Sequence, residues 1–204
     1  MALFIAFEGG EGSGKSTQAK ALYRRFLNAD IPVILTHEPG GTAWGEEVRC
    51  WLKGEEEMKI SAWAELLLFA ACRSQLVAEV LRPNLATGVM VICDRYADST
   101  IAYQGYGRGI DLDTIQTING VATQGLVPDV VILVDVPVEI GLARRKTAKL
   151  DRFEKEGVSF HHRVRQGYLQ LAAAAPQRWL VVDALLSEAE IEQAVWEKVA
   201  QLLE

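Results

Sequence analysis

The run Gly9-Gly10-Glu11-Gly12-Ser13-Gly14-Lys15-Ser16-Thr17 fits the spacing G-x-x-x-x-G-K-[ST]. Residues of these types in this order make a phosphate-binding loop when a strand precedes them and a helix follows. Glycines let the backbone curl until successive N–H groups converge on phosphate oxygens. Lys15 can then reach the β- and γ-phosphates, and the Ser16 hydroxyl is placed to ligate Mg²⁺. The apolar run Leu3-Phe4-Ile5-Ala6-Phe7 supplies the strand. A helix beginning here adds the positive end of its dipole. The chain is therefore expected to bind a nucleoside triphosphate.

Three further segments could act on such a ligand. Asp94-Arg95-Tyr96 directly follows the apolar run Val89-Met90-Val91-Ile92-Cys93. An acid leaving a buried strand beside a phosphate loop can orient or ligate Mg²⁺. Arg95 beside it is suited to clamp a phosphate bidentately. His37-Glu38-Pro39-Gly40-Gly41-Thr42 reads as a rigid Pro/Gly turn that faces Glu38 toward the site, although a plain connection would carry the same residues. Phe69 and Arg73, four apart on a helix, share a face. An aromatic ring beside a fixed donor can hold a planar base. Leu66, Leu67, Ala70 and Leu76 around Phe69 also suit ordinary core packing. A guanidinium buried there without a partner would be costly, which favours a binding role.

A largely parallel sheet must position these segments. Apolar runs at 31–35, 89–93, 130–134 and 180–182 join the first strand, and such unbroken Val/Ile/Leu runs suit strands covered on both faces. Helices are predicted over 15–27, 62–85, 111–125, 138–147, 160–174 and 187–203. The last opens with Ser187-Glu188-Ala189-Glu190, a capping box. Ligands of open α/β sheets gather at the carboxyl ends of the strands, so the three segments are expected to converge on the phosphate loop. The predicted class is α/β, a P-loop NTPase-type three-layer fold with a five-stranded parallel sheet flanked by helices, in one domain over 1–204.

At 204 residues and 50% hydrophobic, the chain can bury a full core. The apolar runs are too short for a membrane span. A net charge of −6 argues against a general nucleic-acid surface, so small-molecule substrates are expected. Cys50, Cys72 and Cys93 lack metal-ligand spacing and read as buried or free thiols of a reducing cytosol. The first strand leads straight into the phosphate loop, so its removal as a signal peptide would destroy the site. A cytoplasmic location is expected.

Together these segments resemble the thymidylate kinase family, over almost the whole chain. The resemblance rests on Phe7-Glu8-Gly9 through Thr17, on Glu38-Pro39-Gly40-Gly41-Thr42, and on Phe69-Ala70-Ala71-Cys72-Arg73. It rests above all on the block from Asp94-Arg95-Tyr96 to Tyr103-Gln104-Gly105. Gly107-Arg108-Gly109 and Leu150-Asp151-Arg152-Phe153-Glu154 match as well. The resemblance implies that Phe69 stacks on thymine and that Arg73 bonds its carbonyl edge. It implies that Arg49 and Arg95 hold the acceptor phosphate, with Glu38 close to that group. Thr100 and Gln104 would line the base, Tyr103 the sugar, and Glu11 would lie near the 3′-hydroxyl.

The phosphate loop carries Glu11-Gly12 where some members place an arginine. The chain therefore looks like the type whose basic residues come from a flexible lid, here 145–156, with Arg145 and Arg152 as catalytic candidates. Arg144, Lys146 and Lys149 suit a solvated face equally well. His37 stands where the bacterial pattern usually has arginine and cannot supply a constant positive charge near neutral pH. Thr100 stands where serine is common. His161, His162, Glu55-Glu56-Glu57 and the five tryptophans read as packing, surface, solvated-loop and core residues.

The implied reaction is direct in-line transfer from Mg-ATP to dTMP, and the implied assembly a homodimer. Kinases of other nucleoside monophosphates, and a non-kinase P-loop switch, are the alternatives. Against the switch, Asn28, Asn84 and Asn119 are followed by Ala, Leu and Gly, so the guanine-reading Asn-Lys-x-Asp is missing.

Overall fold

The computed structural model describes residues 2–54, 59–145 and 151–203, apart from the side chain of Arg145. Five strands, β1 (Phe4–Glu8), β2 (Val33–His37), β3 (Met90–Asp94), β4 (Val130–Asp135) and β5 (Trp179–Asp183), pair in the order β2-β3-β1-β4-β5. All pairings are parallel. The chain runs from β1 outward to one side and later returns to the other, so β1 is the topological switch point and its carboxyl end is the natural ligand site. Register brings Phe7 and His37 each opposite Asp94.

The helices are α1 (Lys15–Asn28), α2 (Ala43–Lys53), α3 (Ala62–Leu76), α4 (Arg82–Ala86), α5 (Ala97–Thr100), α6 (Leu112–Thr123), α7 (Val138–Arg145), α8 (Val158–Ala174) and α9 (Glu188–Leu203). They cover both faces of the sheet and give two large cores. One lies between β1, β3, β4 and helices α1 and α9. The other joins the opposite sheet face to the end of α3, α8 and the segment that follows α5. Every residue of β1 is buried, which explains its uninterrupted apolar run. Among the described residues, no helix is long and apolar enough to cross a membrane.

The structure departs from the predicted elements at several points. The predicted helix 62–85 is α3 and α4 joined through a π-helical turn, Val77–Leu81. Pro83 has no N–H to give, and the wider turn before it fits the helix around that loss. Strand β2 begins two residues later than predicted and runs to His37, setting Glu38 at the carboxyl edge. Helix α2 is absent from the predicted elements; Thr42 caps it by accepting from the Gly45 N–H at 3.0 Å. Helix α5, which continues as a π-helical stretch over Ile101–Gly107, is absent from them too. Of the tryptophans expected in the core, Trp44, Trp51 and Trp63 are 44, 53 and 52% exposed. Cys50, Cys72 and Cys93 are free, as expected. His161 is buried in packing, whereas the exposed His162 meets Glu139 at 2.9 Å, a carboxylate neighbour that no sequence spacing announces. Glu55-Glu56-Glu57 lie outside the described residues.

Candidate active site

The phosphate loop leaves β1 at Glu8 and closes on the first turn of α1. Gly12 has φ +67°, and a Cβ there would collide with the Gly141 carbonyl oxygen, so only glycine lets the loop pass under α7. Gly9 likewise passes below the Val134 carbonyl. Glu11 and residues Gly12, Ser13, Gly14, Lys15, Ser16 and Thr17 line a groove of about 550 Å³. Glu38, Arg49, Asp94, Arg95, Lys53 and Arg144 form its other walls. Burial and the nearby Arg95 lower the Lys15 pKa, while Glu11 and Asp94 oppose that shift. Arg144 donates to the Gly12 carbonyl at 3.2 Å and to the Ala184 carbonyl at 3.0 Å, which seats it over the loop.

Ser16 Oγ donates to Asp94 Oδ2 across the groove. The other carboxylate oxygen, Oδ1, is buried with no hydrogen-bond partner. A hydroxyl and a carboxylate facing a phosphate groove, one oxygen lacking a donor, fit the oxygen-only, mostly water- and phosphate-filled shell that Mg²⁺ prefers.

Arg95, at φ +73°, lines the groove. Nη1 donates to Ser99 Oγ at 3.2 Å and to Tyr168 Oη at 3.0 Å. Nη2 donates to Glu11 Oε1 at 2.9 Å and to Tyr103 Oη at 3.0 Å. Burial works against the Glu11 charge, but Arg95 and Lys15 outweigh it and hold the carboxyl at about 2.

A smaller pocket of about 40 Å³ opens beside the groove, and Glu11, Lys53, Arg95 and Asp151 line both. Its remaining walls include Phe69, Thr100, Tyr103, Gln104 and Phe153. Thr100 Oγ1 is buried there without a partner. Gln104 Nε2 donates to Glu65 Oε1 at 2.7 Å. A carboxylate accepts only, so this bond fixes the amide orientation and leaves Gln104 Oε1 as an acceptor.

Two arginines expected at the ligand are engaged with buried carboxylates. Arg73 is only 1% exposed and lies outside the walls of both cavities. The cost of burying its charge, which in the sequence favours a binding role, is met by protein partners. Nε and Nη2 donate to Glu38 Oε2 at 2.8 and 2.6 Å, Nη1 to Asn119 Oδ1 at 2.8 Å, and Nη2 to the Tyr96 carbonyl at 3.2 Å. Four of its five N–H donors are thus engaged. Arg152 pairs with Glu65 Oε2 at 2.7 Å and covers the Phe153 ring, away from the groove. The segment that carries it is a packed turn, with Phe153 5% exposed between Phe69 and Tyr103, and with the N–H groups of Phe153 and Glu154 donating to Asp151. Lys146 and Lys149 lie outside the described residues, as does the side chain of Arg145. Arg49 Nη1 donates to the Pro39 carbonyl at 2.6 Å and still lines the groove.

The family model for thymidylate kinase matches residues 7–195. The chain belongs to the thymidylate kinase family. A thymidylate kinase of Dehalococcoides mccartyi is 52% identical, with 100% of this chain and 98% of that one covered. Another, of Trichormus variabilis, is 48% identical over 95% of this chain and 93% of its own. The crystal structure of the Ehrlichia chaffeensis thymidylate kinase superposes with a TM-score of 0.79 at 34% identity, covering 98% of both chains. The family relation makes the chain a phosphotransferase of the nucleotide-kinase kind, and the resemblance carried by Asp94-Arg95-Tyr96 and its neighbours is borne out.

Sequence reasoning misses several residues around this family site. Glu65, fully buried, gathers Gln104, Arg108 and Arg152. Glu8, Ser99 and Tyr168 sit behind Arg95. A buried acid on an apolar helix face is the one signal for Glu65, since such a group must find cations or donors. Tyr168 lies seventy-three positions from Arg95, and no local spacing links them.

Proposed function

We propose that this chain is a single nucleoside-monophosphate kinase domain that moves the γ-phosphoryl group of ATP directly onto the phosphate of dTMP, giving dTDP. The observation that carries the reading is that Arg95 and Glu11 line both the phosphate groove and the aromatic side pocket. A nucleotide with its base in the pocket would then present its phosphate to the donor.

In this reading a dTMP phosphate oxygen attacks the γ-phosphorus as the bond to the β-bridging oxygen breaks and ADP leaves. No enzyme side chain becomes phosphorylated, so positioning and charge neutralisation carry the rate. The loop N–H groups and Lys15 hold the donor phosphates, and Arg95 with Arg49 holds the acceptor phosphate. Ser16 and Asp94 would hold Mg²⁺, which when bound would supply charge neutralisation for the donor phosphates. Arg145 and Arg152 are the lid candidates; Arg152 must leave Glu65 to reach the phosphates.

Phe69 stacks on the base. Thr100 Oγ1 and Gln104 Oε1 are free to meet its edge, and Gln104 Oε1 can accept the thymine N3–H, where cytosine offers only a lone pair. The remaining Nη1 hydrogen of Arg73 is its one donor for a base carbonyl. Tyr103 and Glu11 flank the sugar. Glu38 Oε1, buried and without a partner, faces the groove where acceptor waters would sit.

Trp63 and Leu67 on α3, with Trp44 and Trp51 on α2 and Val121 on α6, form exposed apolar surface. That surface supports a homodimer, tested by sedimentation of the wild type against Leu67→Glu. A cytoplasmic location accords with three free cysteines.

A coupled assay with Mg-ATP across dTMP, dUMP, dCMP, dAMP and dGMP tests the acceptor. The expected order has dTMP best and dUMP weaker by roughly 10- to 200-fold for the missing methyl, with the others poor. Equal or better use of dCMP or dAMP would overturn it.

A further inference from the structure

Behind Arg95, away from the groove, three oxygen atoms close a triangle. Glu8 Oε2 lies 2.6 Å from Ser99 Oγ, Ser99 Oγ lies 2.8 Å from Tyr168 Oη, and Tyr168 Oη lies 2.9 Å from Glu8 Oε2. Each edge is hydrogen-bond length and needs one proton. Ser99 and Tyr168 bring one hydroxyl proton each, which leaves one edge without. The other Glu8 oxygen, Oε1, accepts the N–H groups of Tyr96 at 2.8 Å and Ser99 at 3.2 Å, so it has no place for a proton of its own. Only a proton on Glu8 Oε2 completes the triangle. The carboxyl then donates to Ser99, Ser99 to Tyr168, and Tyr168 back to Glu8, while both hydroxyl oxygens still accept from Arg95 Nη1.

We propose that Glu8 in its protonated form is a positioning residue for Arg95, seating that guanidinium for the acceptor phosphate, and that ionisation of Glu8 withdraws it. The inference rests on the reading of Arg95 as an acceptor-phosphate ligand. An ionised Glu8 breaks one edge of the triangle and sets a full negative charge behind Arg95 in a site shielded from water. That charge competes with the incoming phosphate for the same cation. Reciprocally, a bound phosphate draws on Arg95, makes the Glu8 anion less favourable, and promotes uptake of a proton.

The surroundings agree. Glu8 is fully buried, and burial, outweighing the pull of Arg95, raises its pKa to about 7. The charged and titratable groups facing it are Arg95 and Cys93 at the end of β3, Asp98 on α5, Tyr168 on α8 and Arg73 on α3. Both arginines stay charged, and burial pushes the Cys93 and Tyr168 groups upward, out of the neutral range. Asp98 pairs with Arg178 at 3.3 Å. The acceptor's own phosphate has its second pKa near 6 and is already dianionic above pH 7.

The test compares purified wild type with Glu8→Gln, whose amide stands in for the protonated carboxyl. Two readouts apply: kcat/KM for dTMP from pH 6.5 to 8.5 at saturating Mg-ATP, and calorimetry of dTMP binding at pH 7.5 in buffers of different ionisation enthalpy. Wild type is expected to lose roughly 3- to 10-fold in kcat/KM between pH 7 and 8.5, and to take up a fraction of a proton on binding dTMP. Glu8→Gln is expected to lose both the alkaline fall and the proton uptake. An alkaline fall that survives in Glu8→Gln, or wild-type binding without proton uptake, overturns the inference. The calorimetric arm needs wild type alone, so a misfolded variant does not blunt it. A wild type unable to phosphorylate dTMP would overturn the acceptor reading itself, whereas an active wild type failing these two readouts overturns only the role of Glu8.

Discussion

Glu38 Oε2 accepts both Nε and Nη2 of Arg73, at 2.8 and 2.6 Å, between side chains only 3 and 1% exposed. The pair ties the turn after β2 to the last turn of α3, and so fixes one wall of the phosphate groove to the helix that carries Phe69. Burial opposes the Arg73 charge, yet the Glu38 carboxylate outweighs it and raises the arginine's pKa. Removing one partner strands the other as an uncompensated charge. Glu38→Ala is expected to lower stability by about 3–5 kcal/mol. Urea denaturation checks this, and an unchanged midpoint would show that the pair does not hold the turn.

Lys15 is 8% exposed at the floor of the groove. Lys15→Ala is expected to cut kcat by about 10²- to 10³-fold, the cost of losing one preorganised charge at the transferring group. Its melting temperature should stay close to wild type, because the side chain serves the ligand rather than the core. Steady-state kinetics beside a thermal melt separates the two effects.

Arg152 pairs with Glu65, which also holds Arg108 at 3.1 Å and Gln104 at 2.7 Å. Because those contacts remain, Arg152→Ala is expected to fold. If the arginine exchanges Glu65 for the transferring phosphoryl, kcat should fall at least 10-fold with the KM for dTMP little changed. Loss of dTMP affinity at unchanged kcat would place its role at Glu65 and the base pocket instead.

Glu11 is held at about 2 in the folded chain, against an ordinary value of 4.5. A depressed carboxyl adds stability that is present above the unfolded value and is lost as pH falls through the folded one. The shift corresponds to roughly 3 kcal/mol. Glu11→Gln should therefore be less stable than wild type at pH 7, and the gap should narrow below pH 4.5. Chemical denaturation at pH 7 and pH 3.5 reads this directly, and a constant gap would contradict it.

The phosphate loop, the strand before it and the Asp94-Arg95 pair are legible in the chain because each is a local pattern. A glycine's backbone freedom, an apolar run and an acid at a strand end keep their meaning whatever surrounds them. The block from Asp94 to Gly105 carries the family in the same way. Helix α2 carries Trp44, Val48, Trp51 and Leu52 at helical spacing behind the Thr42 cap, a signal that the predicted elements leave out. The π-helical stretch after α5 is not legible, because packing against α8 shapes it.

What the sequence determined by itself was the chemistry on offer: a triphosphate loop, a metal-ready hydroxyl and carboxylate, and arginines for anions. Tertiary structure alone decided which partner each charge met. A lone buried guanidinium is costly, which in the chain alone points Arg73 at a ligand; the fold meets that cost with Glu38, thirty-five residues away. Glu8 is one more residue beside the loop until folding brings Ser99 and Tyr168 to it from ninety-one and one hundred and sixty positions along the chain. Ion pairs and proton counts depend on distances of a few ångströms between remote segments, and a one-dimensional pattern does not record those distances.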